Sequence, residues 1–173
     1  MIGKRNTMDN NIILIGMPSC GKSTIGKELA KRLGYAFIDT DDVIVEQNGC
    51  ELRDIIRREG LDGFRRREEE ACCGVNVDRT VIATGGSVVY SDKAMQHLCK
   101  LGKVVYLVIP FDTLKRRIGG TVARGVAMAP DMTLLDLYNE RLPLYERYAA
   151  LTLEEANDDT VCSAAEKLAD MLK

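Results

Sequence analysis

Gly16-Met17-Pro18-Ser19-Cys20-Gly21-Lys22-Ser23 spells G-x-x-x-x-G-K-S, a complete phosphate-binding loop. Its flanks decide the fold. Upstream lies the apolar run Asn11-Ile12-Ile13-Leu14-Ile15, which reads as a buried strand. Downstream, Thr24 to Leu33 places Ile25, Leu29 and Leu33 along one face of a helix. Strand, glycine loop and helix form the context in which this motif binds phosphate. The loop N–H groups cradle the anion and the positive end of the helix dipole favours it. Lys22 is placed to reach the outer phosphates and Ser23 to hold a magnesium ion. Gly16, Ser19, Cys20, Gly21 and Thr24 complete the nucleotide-binding set.

Gly34 closes the first helix, and Tyr35-Ala36-Phe37-Ile38 is a second apolar run that ends in Asp39-Thr40-Asp41-Asp42. Strand–helix–strand is the parallel crossover of α/β folds, and acidic residues at the carboxyl end of such a strand face the ligand crevice. Asp42 is a candidate N-cap for the second helix. The stretch 43–74 reads as helix in two or three pieces, broken near Asn48-Gly49 and at Gly60. Arg79 to Ala83 is a third strand, running into Thr84-Gly85-Gly86-Ser87. A helix capped by Ser91, a β-branched strand from Lys103 to Ile109, and a helix from Thr113 to Ile118 capped by Asp112 come next. The segment 119–130, with Gly119, Gly120, Gly125 and Pro130 around Arg124, is expected to be a mobile lid. Thr133 to Ala149 is a long helix that Pro143 should kink or restart. A short strand at 151–153 and an amphipathic helix at 163–172 end the chain. Residues 1–10 lack periodicity and are expected to be a mobile tail, leaving 11–173 as a single domain.

The whole-chain quantities narrow the choices. At 173 residues with 46% hydrophobic and 29% charged residues, the chain can build one continuous core. A net charge of −2 gives no sign of a nucleic-acid partner. The basic run Arg65-Arg66-Arg67 is followed by Glu68-Glu69-Glu70, so on a helix the two can pair at i to i+3. The cysteines, at positions 20, 50, 72, 73, 99 and 162, form no C-x-x-C pair, and His97 is the one histidine. That argues against a zinc site and a disulfide framework. His97 is expected at the surface or a helix end, and Cys20 as a filler of a variable loop position. No signal peptide or membrane span is read, so a cytoplasmic setting is expected.

Five pieces occur in a telling order: the loop Gly16 to Thr24, Asp39-Thr40-Asp41, Phe64-Arg65-Arg66 with Glu68-Glu69, Gly85-Gly86, and Arg141-x-Pro143-Leu144-Tyr145. Together they resemble the shikimate kinases over roughly Asn11 to Lys173. The resemblance implies a three-layer α/β P-loop kinase fold with a five-stranded parallel sheet in the order 2-3-1-4-5. It implies transfer of the γ-phosphate of ATP to the 3-hydroxyl of shikimate, with ATP and magnesium as cofactors, in a monomer. Asp41 would accept or orient the acceptor's hydroxyl proton. Arg65 and Arg141 would bind its carboxylate, and Gly85 and Gly86 would let backbone approach it. Asp39 would support the metal beside Ser23. Arg117 would pack near the adenine, and Arg124 would swing onto the phosphates as the lid closes.

Three departures stand out. Ser87 takes the place of a third glycine, which should narrow the pocket floor and limit φ. The lid reads Arg124-Gly125-Val126-Ala127-Met128-Ala129-Pro130 where the family has arginine-proline-leucine-leucine. The loop 154–159 lacks a basic residue. A kinase for another small hydroxy acid, such as gluconate or homoserine, therefore stays open, as does a nucleotide-binding sensor without turnover.

Overall fold

A computed structural model describes residues 10–118, 126–154 and 160–173. At its centre is β1 (Asn11–Ile15), buried at every position, as a strand covered on both faces must be. It is flanked by β3 (Thr80–Ala83) and β4 (Gly102–Val108), with β2 (Ala36–Asp39) and β5 (Leu151–Glu154) at the edges. The sheet is parallel throughout, in the order β2-β3-β1-β4-β5. That is the order the family resemblance implied, and it puts the β1–α1 loop at the middle of the sheet's carboxyl edge.

The helices follow from their punctuation. α1 (Lys22–Leu33) begins at Gly21, whose φ of 96° suits a residue without a Cβ, and ends at left-handed Gly34. α2 (Thr40–Asn48) and α3 (Leu52–Gly74) occupy the stretch read as helix in pieces, and Gly60 (φ 71°, ψ −176°) breaks α3 internally. A 3₁₀ turn at Val88–Tyr90 leads to α4 (Asp92–Leu101), capped by the Ser91 hydroxyl. α5 (Phe111–Ile118), α6 (Leu134–Tyr148) and α7 (Val161–Met171) complete the layers. Thr133 and Thr160 cap the last two.

Two expectations fail here. Asp112 does not cap α5. The Leu114 N–H donates to the Pro110 carbonyl at 2.9 Å, so the helix starts earlier and Asp112 lies in its first turn. Nor does Pro143 restart the helix: α6 is one continuous helix through it. His97 sits on α4 with its ring nitrogen against the Val75 carbonyl at 2.7 Å, a structural contact.

The main core gathers Ile13, Leu14, Leu29, Ile82, Val105 and Leu98 between sheet and helices. A smaller cluster of Ile44, Ile55, Phe64, Ala71 and Ala127 lies under α2 and α3. No helix among the described residues is long and apolar enough to cross a membrane.

Asn11 clasps the amino edge of the sheet. It is 1% exposed. Its Nδ2 donates to the Val77 and Leu101 carbonyls at 2.8 and 2.9 Å, and its Oδ1 accepts the Thr80 N–H at 2.9 Å. Asn11→Ala leaves these backbone groups buried without partners. It should destabilise the fold by about 3 kcal/mol, read as a lowered urea midpoint with an unchanged m-value.

Candidate active site

The phosphate loop forms one wall of a cavity of about 590 Å³ at the carboxyl edge of the sheet. Ser19, Gly21, Lys22, Ser23 and Thr24 line it. Ser19 adopts φ 62°, a left-handed conformation uncommon outside glycine, and so keeps the loop tightly curled. The Lys22 ammonium is nearly enclosed and donates to the Gly16 and Met17 carbonyls at 2.8 Å each. Gly16 and Cys20 do not line the cavity. Both are buried beneath the loop, with the Cys20 thiol 3.6 Å from the Lys22 nitrogen. Arg117 does line it, and its Nη1 donates to the Ser19 carbonyl at 3.5 Å.

Ser23 and Asp39 meet. The Ser23 hydroxyl donates to Asp39 Oδ2, while Asp39 Oδ1 accepts the Asp41 N–H at 3.0 Å. Asp39, still extended at the end of β2, is therefore the N-cap of α2, and the expectation for Asp42 is corrected: Asp42 lies within the first turn of the helix. One carboxylate thus caps a helix and stands beside the loop serine. Two hard oxygen donors side by side suit magnesium, which takes few protein ligands and keeps several waters. Among the described residues, no cluster of three or more His, Cys, Asp or Glu side chains offers a competing metal site.

On the opposite wall, Asp41, Glu68, Gly85, Gly86, Ser87 and Arg141 converge. Glu68 is 1% exposed, and burial pushes its carboxyl up to about 7. Burial likewise pushes Asp41 up to about 6, with Asp39 adding to the rise and Lys22 opposing it. Asp41 keeps part of its surface open to the cavity, but its Oδ1 is enclosed. Both glycines are required by crowding. A Cβ on Gly85 would come within 2.1 Å of Glu68 Oε1 and 2.9 Å of Asp41 Oδ1. One on Gly86 would stand 2.9 Å from Pro18 and 3.0 Å from Arg141 Nη1.

Arg141 is 1% exposed on α6. Its Nη2 donates to the Ala127 carbonyl at 2.8 Å and its Nε to the Tyr90 hydroxyl at 3.3 Å. One turn along, Tyr145 donates its hydroxyl to the Gly86 carbonyl at 2.5 Å and stacks on Tyr106 with centroids 5.1 Å apart. Arg65 is not in the cavity wall; it lies over the Tyr90 ring, its guanidinium carbon 4.1 Å from the centroid. The sequence-predicted pairing of residues 65–70 is realised only by Arg67 with Glu70, at 3.5 Å. Glu69 pairs with Lys93 instead, and Glu68 turns inward.

Three enclosed side-chain atoms have no partner among the described residues: Asp41 Oδ1, Glu68 Oε1 and Arg65 Nε. Buried polar atoms are normally satisfied, so two exceptions in one cavity wall, Asp41 and Glu68, point to a ligand. Arg124 and residues 119–125 of the expected lid lie outside the described residues, as do 1–9 of the expected tail and 155–159. Val126 and Ala127, the described residues that follow 119–125, line the cavity. Glu68, Ser87, Tyr90 and Tyr145 are the site residues that sequence reasoning did not assign. Ser87, Glu68 and Tyr145 had a readable signal, the first as a departure from a glycine run and the other two as parts of motifs.

A family model described as shikimate kinase matches residues 18–173. The shikimate kinase of Francisella tularensis subsp. novicida is 37% identical over 166 residues, 94% of either chain. Shikimate kinase 2 of Dickeya chrysanthemi is 41% identical over 111 residues, 64% of each chain. Among solved structures, the shikimate kinase from Acinetobacter baumannii in complex with shikimate superposes with a TM-score of 0.86 at 30% identity, covering 96% of this chain and 94% of that one.

The raised carboxyls have a consequence for stability. Between about pH 4 and 7 the folded chain holds protons on Asp41 and Glu68 that the unfolded chain has already lost, so stability falls as pH rises through that window. Glu68→Gln keeps an acceptor for Ser87 and removes one of the two titrations. Its stability relative to the parent should improve by roughly 1–3 kcal/mol from pH 5 to pH 8, measured by urea denaturation at both values. A difference independent of pH would mean that Glu68 titrates normally.

Proposed function

The chain belongs to the shikimate kinase family, and on that premise we propose that it transfers the γ-phosphate of ATP to the 3-hydroxyl of shikimate. The observation that carries this reading is the pair of enclosed, unpartnered carboxyl oxygens, Asp41 Oδ1 and Glu68 Oε1, in the wall of the cavity that the phosphate loop also lines. Two such oxygens in one cavity wall complement the hydroxyls of a small hydroxylated acid.

Phosphoryl transfer depends on placement and charge neutralisation. Lys22 can exchange the Gly16 and Met17 carbonyls for oxygens of the outer phosphates, with Ser19, Gly21 and Thr24 around them. Ser23 and Asp39 would hold a magnesium ion, which when bound neutralises charge on those phosphates. Asp41 takes or orients the proton of the acceptor hydroxyl. A carboxyl pushed up to about 6 is well matched to proton transfer near neutral pH. Arg141, assisted by Arg65, binds the acceptor carboxylate, and Gly85 and Gly86 let the backbone come close. Arg117 borders the adenine side, and Arg124 supplies charge as the lid at 119–130 closes. We take the enzyme to act as a cytoplasmic monomer folded as one domain over 11–173, with all of these residues drawn from one chain.

Lys22→Met should lower kcat by about a hundredfold or more, since one charged contact to the transition state is worth roughly 3 kcal/mol. In a coupled assay with ATP, shikimate should have the highest kcat/KM of a panel with quinate, gluconate and homoserine. A rigid ring acid loses less freedom on binding than a flexible chain. Turnover of gluconate or homoserine but not shikimate would overturn the acceptor assignment. Nucleotide binding with no turnover of any of the four would make the chain a sensor.

A further inference from the structure

We infer that Tyr90 is a positioning residue for acceptor recognition: its ring and hydroxyl fix the guanidiniums of Arg65 and Arg141 in the arrangement that receives the carboxylate. This rests on the reading that those two arginines bind the acceptor's carboxylate.

One aromatic ring carries both cations. The Arg65 guanidinium carbon lies 4.1 Å from the Tyr90 centroid and that of Arg141 lies 5.2 Å away. Both distances fall within the range where a ring's quadrupole attracts a cation. A ring shared by two cations holds both guanidiniums in place at once. The hydroxyl adds direction. It donates to Glu140 Oε1, which leaves its lone pair facing the Arg141 Nε–H at 3.3 Å. With Nη2 committed to the Ala127 carbonyl at 2.8 Å, Arg141 keeps Nη1 toward Gly86 and the cavity. Arg65 keeps an enclosed Nε without a partner. The tyrosine is itself held firmly. It ends the 3₁₀ turn behind buried Val88 and Val89, and its N–H donates to the Ser87 carbonyl at 3.0 Å. The same turn that presents Gly85 and Gly86 to the acceptor therefore sets the two arginines. Presetting both planes lowers the ordering cost of binding a carboxylate.

The test compares shikimate with its methyl ester, which keeps the ring and hydroxyls but lacks the negative charge. Tyr90→Leu should raise KM for shikimate by about tenfold, with kcat at saturation and KM for ATP within about twofold of the parent. KM for the methyl ester should stay within about twofold, so the preference for the charged acceptor shrinks. Tyr90→Phe keeps the ring and should recover most of the loss. Thermal melting verifies that each variant is folded. Equal losses for acid and ester would assign Tyr90 a structural role and overturn the inference. So would an unchanged shikimate KM in Tyr90→Leu while Arg141→Lys is impaired. If Arg141→Lys also binds shikimate normally, the carboxylate site itself is misassigned, and the inference falls with it.

Discussion

Three charged side chains, Lys22, Glu68 and Arg141, are almost completely removed from solvent around one cavity, and the desolvation of those charges is the constraint on which the rest of the structure depends. Each has an answer supplied by a different part of the chain. The phosphate loop gives Lys22 two carbonyls. The turn after β3 gives Glu68 the Ser87 hydroxyl. The segment before α6 gives Arg141 the Ala127 carbonyl, and the 3₁₀ turn gives it the Tyr90 hydroxyl. Losing the partners of Lys22 or Arg141 would leave a charge buried and uncompensated, which costs far more than an ordinary hydrogen bond is worth, while Glu68 answers burial by keeping its proton. The cavity is thus fixed by electrostatic obligation as much as by apolar packing.

Ser87 shows how local these obligations can be. A side chain in place of a third glycine should narrow the pocket floor and restrict the backbone. Its φ is −94°, which any residue adopts, so the backbone restriction does not arise. The hydroxyl turns onto Glu68 Oε2, where it partners a carboxylate that would otherwise be wholly unsatisfied. Gly85 and Gly86 differ because carboxylate, proline and guanidinium atoms crowd the space where their Cβ atoms would stand. The glycine requirement follows those neighbours, and it stops where they stop.

Much of the fold was legible because its signals are periodic or glycine-coded. β1, the loop, α1 and the breaks at Gly49 and Gly60 all read directly, while the sheet order came from the resemblance to the family. The rest was hidden by chemistry that looks alike in sequence and differs in three dimensions. Arg65 to Glu70 has the spacing of a solvated, self-paired helix face, yet the helix turns Glu68 inward beneath Gly85. Asp39, Asp41 and Asp42 are equally good caps on paper. Only the extended end of β2 selects Asp39. Asp112 lost its cap role because the Pro110 carbonyl was already in place to start the helix. Tyr90 gave no signal, since a lone tyrosine after a glycine turn acquires meaning only when two distant arginines arrive over its ring.

The two walls of the cavity also share a framework. Arg141 and Tyr145 are four residues apart on α6 and so project from one face. Arg141 meets the acceptor wall, while Tyr145 bonds the Gly86 carbonyl, approaches the Met17 sulfur at 3.8 Å and stacks on Tyr106 of β4. Acceptor turn, phosphate loop and central sheet are therefore joined through a single helical face. For a reaction whose catalysis lies in holding donor and acceptor in line, rigidity between those two subsites is the property that matters most. Ala127 belongs to the same framework twice over, through its carbonyl on Arg141 and its methyl in the small core under α2 and α3. Ala127 is thus held at the arginine proposed to receive the acceptor, so a carboxylate bound there would meet a guanidinium already fixed by that carbonyl.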